Sequence, residues 1–246
     1  MPIHTLIHLN ETGSTNSYAI ELLSRSHPDE GTVIIADHQT SGKGMDSNTW
    51  ESEAGKNLTF SLILYPGFTA DKQFLLNKAL ALGIYDFLCR ELPNQKVSIK
   101  WPNDIYIADQ KACGLLIQNS VTGNRFEHVV AGIGLNVNQT LFVSDAPNPV
   151  SLKMISGKQY DLDLVLKQLL NSISSRYSTL KPGAERKIEI DYQAALYRLL
   201  EWHDYMVKST MMKARITGTN EYGQLILETS EAQVMACDVK EVRFTF

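Results

Sequence analysis

The chain has 246 residues, of which 43% are hydrophobic and 20% are charged, a balance typical of globular proteins. This length allows one large domain, or a large domain and a small one, and excludes a long multidomain assembly. The 23 Lys and Arg residues and 27 Asp and Glu residues sum to a net charge of −4. That charge argues against a broad nucleic-acid-binding face.

Cysteine and histidine positions argue against a disulfide framework and against a clustered metal site. Cys89, Cys113 and Cys237 are odd in number and far apart, which fits a reducing cytoplasm. His4 and His8 would share a strand face, where surface or core histidines are commoner than metal ligands. The N-terminus has no signal-peptide pattern, and no run of 18 apolar residues occurs. We therefore expect a cytoplasmic protein without membrane contacts.

The first ninety residues alternate short strands with helices. Apolar residues spaced two apart predict strands, and those spaced three or four apart predict helices. The polar residues Ser14, Thr15 and Asn16 offer N-cap side chains at the start of the first helix. The predicted strands span 3–9, 32–37 and 58–64, and the predicted helices span 15–25 and 70–91.

The centre of the chain is rich in β-forming residues. The stretches VSIKWPNDIYIAD, KACGLLIQNS and FEHVVAGIGLNVN each read as strands. A turn near Asp109 and Gln110 joins the first two stretches into a hairpin. The centre therefore predicts a hairpin sheet.

Helical spacing returns at 161–178 and 185–202, and short strands follow from about residue 206, with a turn at 221–223. We expect an α+β protein with two domains. Residues 1–205 would form a mixed β-sheet with flanking helices, and residues 206–246 a small C-terminal β unit.

Residues 39–50, with the sequence QTSGKGMDSNTW, are a candidate anion-binding loop. Their glycines permit positive φ and a close approach of the backbone to phosphate. A P-loop is excluded because Asp37 stands where that motif requires glycine. The alternative is a flexible surface loop.

The segment KWPND at 100–104 places a cation, an aromatic ring and an acid between apolar strand residues. Pro102 cannot donate a ladder hydrogen bond, so the sheet should be interrupted there, freeing Asn103 and Asp104 to face a cleft. The alternative is a structural bulge in which the acid caps neighbouring amides. Lys111, just past the predicted turn, could equally be a solvated turn lysine.

The segment GIGLNVN at 132–138 alternates small or polar residues with apolar ones, as a half-buried strand does. It is not a dinucleotide-binding fingerprint, because Val137 stands where the third glycine is required. The two glycines clear space on one face, which a ligand or another helix could fill.

Four segments in fixed order resemble biotin–protein ligases over nearly all of the chain. They are Ser14–Asn16, the Gly-Lys-Gly loop that ends at Trp50, KWPND followed by Lys111 seven residues after Asp104, and GIGLN at 132–136. The resemblance implies a catalytic domain followed by a small C-terminal β-barrel. It also implies the ligase-only form, without an N-terminal DNA-binding domain and without nucleic acid as a partner.

The resemblance further implies a two-step reaction with ATP, biotin and Mg²⁺. Biotin would attack the α-phosphate of ATP to form biotinyl-5′-adenylate, and a lysine of a biotin carboxyl carrier protein or domain would then take the biotin. The family's catalytic lysine corresponds to Lys111, which would lie between the biotin carboxylate and the phosphate. The family also allows a homodimer.

The remaining site residues are carried over from the same motifs. Ser14, Thr15 and Gln39 would hydrogen-bond the ureido group, and Asp104 would approach magnesium. Biotin contacts are implied for Ser14, Thr15, Asn16, Gln39, Gly42, Lys43, Gly114 and Gly132, and nucleotide contacts for Gly44, Trp50, Asn103, Asp104 and Asn136.

One loop departs from the family pattern. Family members usually have GRGRxGRxW, whereas this chain has GKGMDSNTW. Met45 and Asp46 offer no cation to an anion, and lysine lacks the bidentate grip of guanidinium. We therefore expect weaker retention of the adenylate. Two alternatives remain: a lipoate or octanoate ligase or transferase of the same broad fold, and a catalytically silent biotin-binding regulator.

Overall fold

The computed structural model describes residues 5–45, 48–144, 148–181, 183 and 185–245. This part of the chain forms twelve strands and five α-helices, with short 3-10 turns at Ala70–Lys72 and Val239–Glu241. The strands are β1 (Leu6–Thr12), β2 (Val33–Gln39), β3 (Leu58–Leu64), β4 (Val97–Lys100), β5 (Asp104–Ile107), β6 (Gln110–Thr122), β7 (Arg125–Leu135), β8 (Trp202–Val207), β9 (Thr210–Thr219), β10 (Leu225–Thr229), β11 (Val234–Cys237) and β12 (Val242–Phe244). The helices are α1 (Thr15–Arg25), α2 (Gln73–Glu91), α3 (Leu152–Ser156), α4 (Leu162–Ser178) and α5 (Glu185–Ala194).

A seven-stranded mixed sheet is built from strands in the first 135 residues, in the order β1-β2-β3-β7-β6-β5-β4. Only β1 and β2 pair in parallel among the described strands. Every residue of β3 is buried, because helices cover both faces of the sheet. Successive side chains of a strand point to opposite faces of the sheet, so each face packs against its own helices. On one face Ile34, Ile63 and Val130 pack with Ala19 of α1. The opposite face belongs to the main core with α2 and α4.

The predicted α+β class, the mixed sheet and most predicted elements are confirmed. The helix predicted over 185–202 is too long, since α5 ends at Ala194. The Ile99 N–H donates to the Ala195 carbonyl, and the Tyr197 N–H donates to the Ile99 carbonyl. The chain therefore leaves the helix because it is drawn into a bridge with β4, a long-range pairing that local periodicity does not encode.

The C-terminal sheet begins earlier than predicted, at Trp202. Its order is β11-β10-β9-β8-β12, and within the described residues the edge strands β11 and β12 do not pair. The implied barrel is therefore an open five-stranded sheet. Its edge strands are short, with four residues in β11 and three in β12. The predicted division into domains after residue 205 stays a prediction.

Two further expectations concern membranes and metals. None of the described helices is both long and apolar enough to span a bilayer. His8 Nε2 lies 2.7 Å from Asp37 Oδ1, whereas His4 lies outside the described residues. In the described ranges, no cluster of three or more His, Cys, Asp or Glu side chains could hold a metal ion.

Candidate active site

A cavity of about 240 Å³ opens where the N-terminus of α1 meets the loop after β2, the β4–β5 hairpin and the middle of β6 and β7. It combines hydroxyl and amide groups, two ammonium groups, a carboxylate and an indole, the mixture expected of a small-molecule site. The described lining comprises Ser14, Thr15, Asn16, Gln39, Lys43, Gly44, Met45, Asn48, Trp50, Phe60, Pro102, Asn103, Asp104, Lys111, Gly114, Leu115, Leu116, Gly132, Ile133, Gly134 and Val239.

Helix α1 presents its N-terminus to this cavity. Ser14 is the N-cap residue by conformation, but its side chain makes no capping hydrogen bond, so the expected cap is corrected. Gln39, at the end of β2, accepts the Thr15 N–H at 2.8 Å instead. Gln39 therefore pairs one of the N–H groups at the helix start, and the buried Ser14 side chain lines the cavity without acting as a cap.

Asn16 is held by the protein on three sides. Its Nδ2 group donates to the Leu116 carbonyl at 3.2 Å and to Gln118 Oε1 at 2.9 Å. Its Oδ1 accepts from the Ser61 hydroxyl at 2.6 Å. A Cβ atom on Gly132 would lie 2.3 Å from Asn16 Oδ1, so glycine is required there. Asn16 therefore closes one end of the cavity, with both amide protons already used.

Lys111 and Asp104 form the charged part of the cavity. Lys111 Nζ lies 2.7 Å from Asp104 Oδ1, with the two side chains 25% and 15% exposed. They meet as an ion pair without hydrogen-bond alignment, since Asp104 Oδ1 has no hydrogen-bond partner among the described residues. A register shift between β5 and β6 follows Ile105 and opposes Tyr106 to Lys111. Lys111 is therefore a half-buried cavity lysine and not a solvated turn residue.

The KWPND segment is the tight connection of the β4–β5 hairpin. The Asn103 side-chain amide donates to the Leu115 carbonyl at 2.6 Å, which ties the connection to β6. The Trp101 indole N–H donates to the Gly223 carbonyl at 2.8 Å, and this links the hairpin to the C-terminal sheet. Burial lowers the pKa of Lys100, while the Asp104 charge partly opposes that change.

Trp50 lies across two of the predicted glycines. A Cβ atom on Gly134 would come within 2.4 Å of the indole ring, and one on Gly114 within 3.0 Å. Lys111 Nζ sits 5.6 Å from the ring centroid, a cation–π distance. The indole nitrogen has no hydrogen-bond partner among the described atoms. Because Gly114 and Gly134 have no side chains, the flat indole ring of Trp50 lies directly against the backbone at both positions.

The arginine-poor loop is described except for Asp46 and Ser47. Lys43 Nζ donates to the Ser17 hydroxyl at 2.9 Å, so this cation rests on α1. Met45 lines the cavity directly. Asp46, which was expected to offer no cation to an anion, lies outside the described residues. The Met45 side chain is placed where it could contact a bound anion.

Glu51 fastens this loop to the segment that follows β7. Its carboxylate accepts the Val143 N–H at 3.0 Å, the Ser144 N–H at 2.8 Å and the Gln139 side-chain amide at 3.1 Å. Burial opposes ionisation, but these hydrogen bonds outweigh it and hold the Glu51 pKa below its ordinary value. The segment continues to Asn148, whose carbonyl accepts the Lys111 N–H.

We expect Glu51→Gln to loosen the 141–144 segment at neutral pH, because a neutral amide is a weaker acceptor. Losing charged hydrogen bonds of about 1.5 kcal/mol or more should speed amide exchange at Val143 and Ser144 about tenfold. In the parent chain the stabilisation by the Glu51 hydrogen bonds is fully present above pH 4.5, the ordinary pKa of the carboxyl group. It is lost as the pH falls through the lowered pKa of Glu51 in the folded protein. Equal exchange in parent and variant at pH 7 would contradict this.

Most of the predicted site residues meet at this one cavity. Two do not line it: Gly42 packs against the Trp50 carbonyl, and the Asn136 amide donates to the Val150 carbonyl at 3.2 Å. Their predicted ligand contacts stay predictions. Sequence reasoning missed several lining residues, among them Phe60 and Val239, and it missed Ser61, which is buried behind the cavity. A lone serine in the apolar run LTFSLIL was a usable signal, since a buried hydroxyl needs a partner, but nothing in the sequence indicated Val239.

The sequence is similar to those of known ligases. The model of the biotin/lipoate A/B protein ligase family matches residues 10–136. The bifunctional ligase/repressor BirA of Bacillus subtilis is 30% identical over 252 residues, which cover 96% of this chain and 73% of that protein. A biotin–[acetyl-CoA-carboxylase] ligase of Mycobacterium tuberculosis is 27% identical, covering 75% of this chain and 68% of that protein.

A solved structure agrees over nearly the whole length. The biotin protein ligase of Aquifex aeolicus, in complex with biotin and ATP, superposes with a TM-score of 0.80 at 26% identity. The match covers 98% of this chain and 99% of that one. The C-terminal sheet is therefore shared with that protein as well as the large sheet.

Proposed function

The chain belongs to the biotin/lipoate A/B protein ligase family, and from this premise we propose that it attaches biotin to a lysine of a carrier protein in two ATP-dependent steps. One observation carries the proposal: a single cavity joins a cluster of hydroxyl and amide groups to the Lys111 ammonium. The cluster suits a compact polar ring, and the ammonium suits the carboxylate at the other end of such a molecule.

In the first step a biotin carboxylate oxygen bonds to the α-phosphorus of ATP, and the bond to pyrophosphate breaks. Both reactants are anions, so the barrier includes their mutual repulsion. The Lys111 ammonium, which rests beside Asp104, would move toward both anions and contact them. At about 4 Å and an effective dielectric near 20, one charge pair is worth about 4 kcal/mol before desolvation.

In the second step the amine of a carrier lysine attacks the acyl carbon of the adenylate, and AMP leaves. Relatives named as biotin–[acetyl-CoA-carboxylase] ligases support a carboxyl carrier protein or domain as the acceptor. Trp50, seated on Gly114 and Gly134, would cover the adenylate from water until that amine arrives.

Asp104 fits the magnesium ion that accompanies ATP. Mg²⁺ is typically held by one or two carboxylates together with substrate phosphates. Asp104 is the one carboxylate among the described lining residues, and its Oδ1 has no hydrogen-bond partner there. The ion would offset phosphate charge, while Lys111 and the backbone around Gly44 position the reacting groups.

The direct test incubates the chain with labelled biotin, ATP, Mg²⁺ and a biotin carrier domain, with ATP omitted from the control. We expect label on the carrier only when ATP is present, and no transfer after magnesium is chelated. Label on the carrier without ATP, or none with it, would refute the proposal.

Specificity separates this activity from that of a lipoate or octanoate ligase. The polar groups of Ser14, Thr15 and Gln39 would be left without a ligand partner by an octanoyl or lipoyl chain, at a cost of about 1–3 kcal/mol for each buried group left unpaired. We therefore expect octanoate and lipoate to compete with biotin only when in more than about a hundredfold excess. Competition at equal concentration would favour the lipoate alternative.

Met45→Arg tests whether the arginine-poor loop releases the intermediate. A guanidinium at this lining position would add a charged hydrogen bond to the adenylate, worth about 1.5–3 kcal/mol, and slow its escape about tenfold or more. The measurement is a chase of labelled adenylate without carrier. Met45→Gln is the control, because it adds polarity without charge and should leave escape nearly unchanged. Identical rates for Met45→Arg and the parent would exclude the loop as the retaining element.

A further inference from the structure

Ser61 lies behind the cavity wall and is hydrogen-bonded to two cavity residues, Thr15 and Asn16. It lies on β3 with 0% exposure and is not part of the cavity lining. Its Oγ is 2.8 Å from the Thr15 hydroxyl and 2.6 Å from Asn16 Oδ1. Any effect of Ser61 on a ligand therefore passes through Thr15 or Asn16.

The hydrogen bonds of Asn16 determine where the Ser61 proton goes. Both Nδ2 protons of Asn16 are used by Leu116 and Gln118, which orients Oδ1 toward Ser61. A carboxamide oxygen only accepts, so Ser61 donates its single proton to Asn16. The Ser61 oxygen is then left as an acceptor, and the neighbouring donor is the Thr15 hydroxyl.

Thr15 is thereby turned into an acceptor toward the cavity. Its other acceptor, Gln39 Oε1, lies farther away at 3.1 Å and already accepts the Thr15 N–H at 2.8 Å. With its proton directed at Ser61, Thr15 Oγ1 presents lone pairs to a bound molecule. Lone pairs recognise an N–H group, which a cyclic urea carries and a fatty-acyl chain lacks.

We propose that Ser61 is a positioning residue that directs the Thr15 proton away from the cavity and so selects ligands with a ring N–H donor. The inference rests on the proposed function for the identity of that ligand as biotin. It adds a specificity determinant that lies outside the cavity wall, behind Thr15 and Asn16.

The test is Ser61→Ala, assayed for adenylate formation with biotin and with biotin methylated on either ureido nitrogen. We expect the KM for biotin to rise about tenfold, with kcat and the KM for ATP nearly unchanged. The preference for biotin over the methylated analogue that lacks the recognised N–H should fall by a similar factor. A general loosening would weaken biotin and both analogues equally, and would move the KM for ATP too.

Ser98→Ala is the matched control. Ser98 is a buried serine on β4 of the same sheet, and among the described residues its hydroxyl has no hydrogen-bond partner. Its loss should leave both the KM for biotin and the analogue preference unchanged. If Ser61→Ala does not fold, Ser61→Cys keeps the volume with a weaker donor and should show a smaller shift in the same direction.

The outcomes separate the two proposals. Failure of the parent chain to form adenylate would refute the proposed function. A parent chain that is active, with the KM for biotin and the analogue preference unchanged in the Ser61 variant that folds, would overturn the role of Ser61 alone.

Discussion

Replacing Lys111 with alanine should lower adenylate formation about a hundredfold or more, the range seen when one charge-stabilising donor is lost. The ammonium, which rests 2.7 Å from Asp104, is proposed to offset the repulsion between the biotin carboxylate and the α-phosphate, and its removal leaves that repulsion uncompensated. Pyrophosphate release is the measurement. Lys111→Arg should also be slow, because a planar guanidinium cannot take the place of a compact ammonium between two anions.

Lys72→Ala is the matched control for Lys111. It removes a lysine that pairs with Glu185 at 2.9 Å on the surface and should leave pyrophosphate release unchanged. Near-normal release in Lys111→Ala would remove this lysine from the reaction. Full activity in Lys111→Arg would show that any positive charge suffices there.

Gly134→Ala should raise the KM for ATP about tenfold to a hundredfold while changing the KM for biotin much less. A Cβ atom at this position would lie 2.4 Å from the Trp50 ring, and a rigid indole can relieve that overlap only by leaving its seat. We expect Trp50, which is proposed to cover the adenylate, to stack on the base; such stacking is worth about 1–3 kcal/mol and would be lost when the ring is displaced.

Gly67→Ala serves as the control for Gly134, because no atom lies within 4 Å of the added Cβ. Its kinetics should match those of the parent chain. If Gly134→Ala raised the KM for ATP and the KM for biotin equally, the position of the Trp50 ring would affect the whole cavity and not the nucleotide side alone.

Local patterns were sufficient for most elements of the fold. Strand β3 and helix α1 match their predicted ranges, since a buried strand and an amphipathic stripe depend on neighbours in the chain. The end of α5 at Ala194 and the open C-terminal sheet were not predictable in this way. Both depend on pairings between distant segments, such as Ile99 with Ala195 and Tyr197.

The candidate site likewise has features that local motifs predict and features that depend on distant segments. Lys111, Asp104 and Trp50 were predicted from motifs and lie together in the structure, although their roles stay predictions. The direction of the Thr15 proton could not be predicted, because it depends on Ser61 from another strand. Likewise, the missing cap at Ser14 follows from Gln39, which reaches α1 from the end of β2.

The hydrogen bond from Trp101 to Gly223 spans 122 residues of sequence, and this separation sets an order of events during synthesis. The β4–β5 hairpin leaves the ribosome well before the turn that anchors it, and Val239, which completes the cavity wall, emerges later still. A nascent chain can therefore assemble the large sheet while its cavity is open on one side. The segment around Val239 completes the cavity wall, so the wall cannot close before residue 239 has been made.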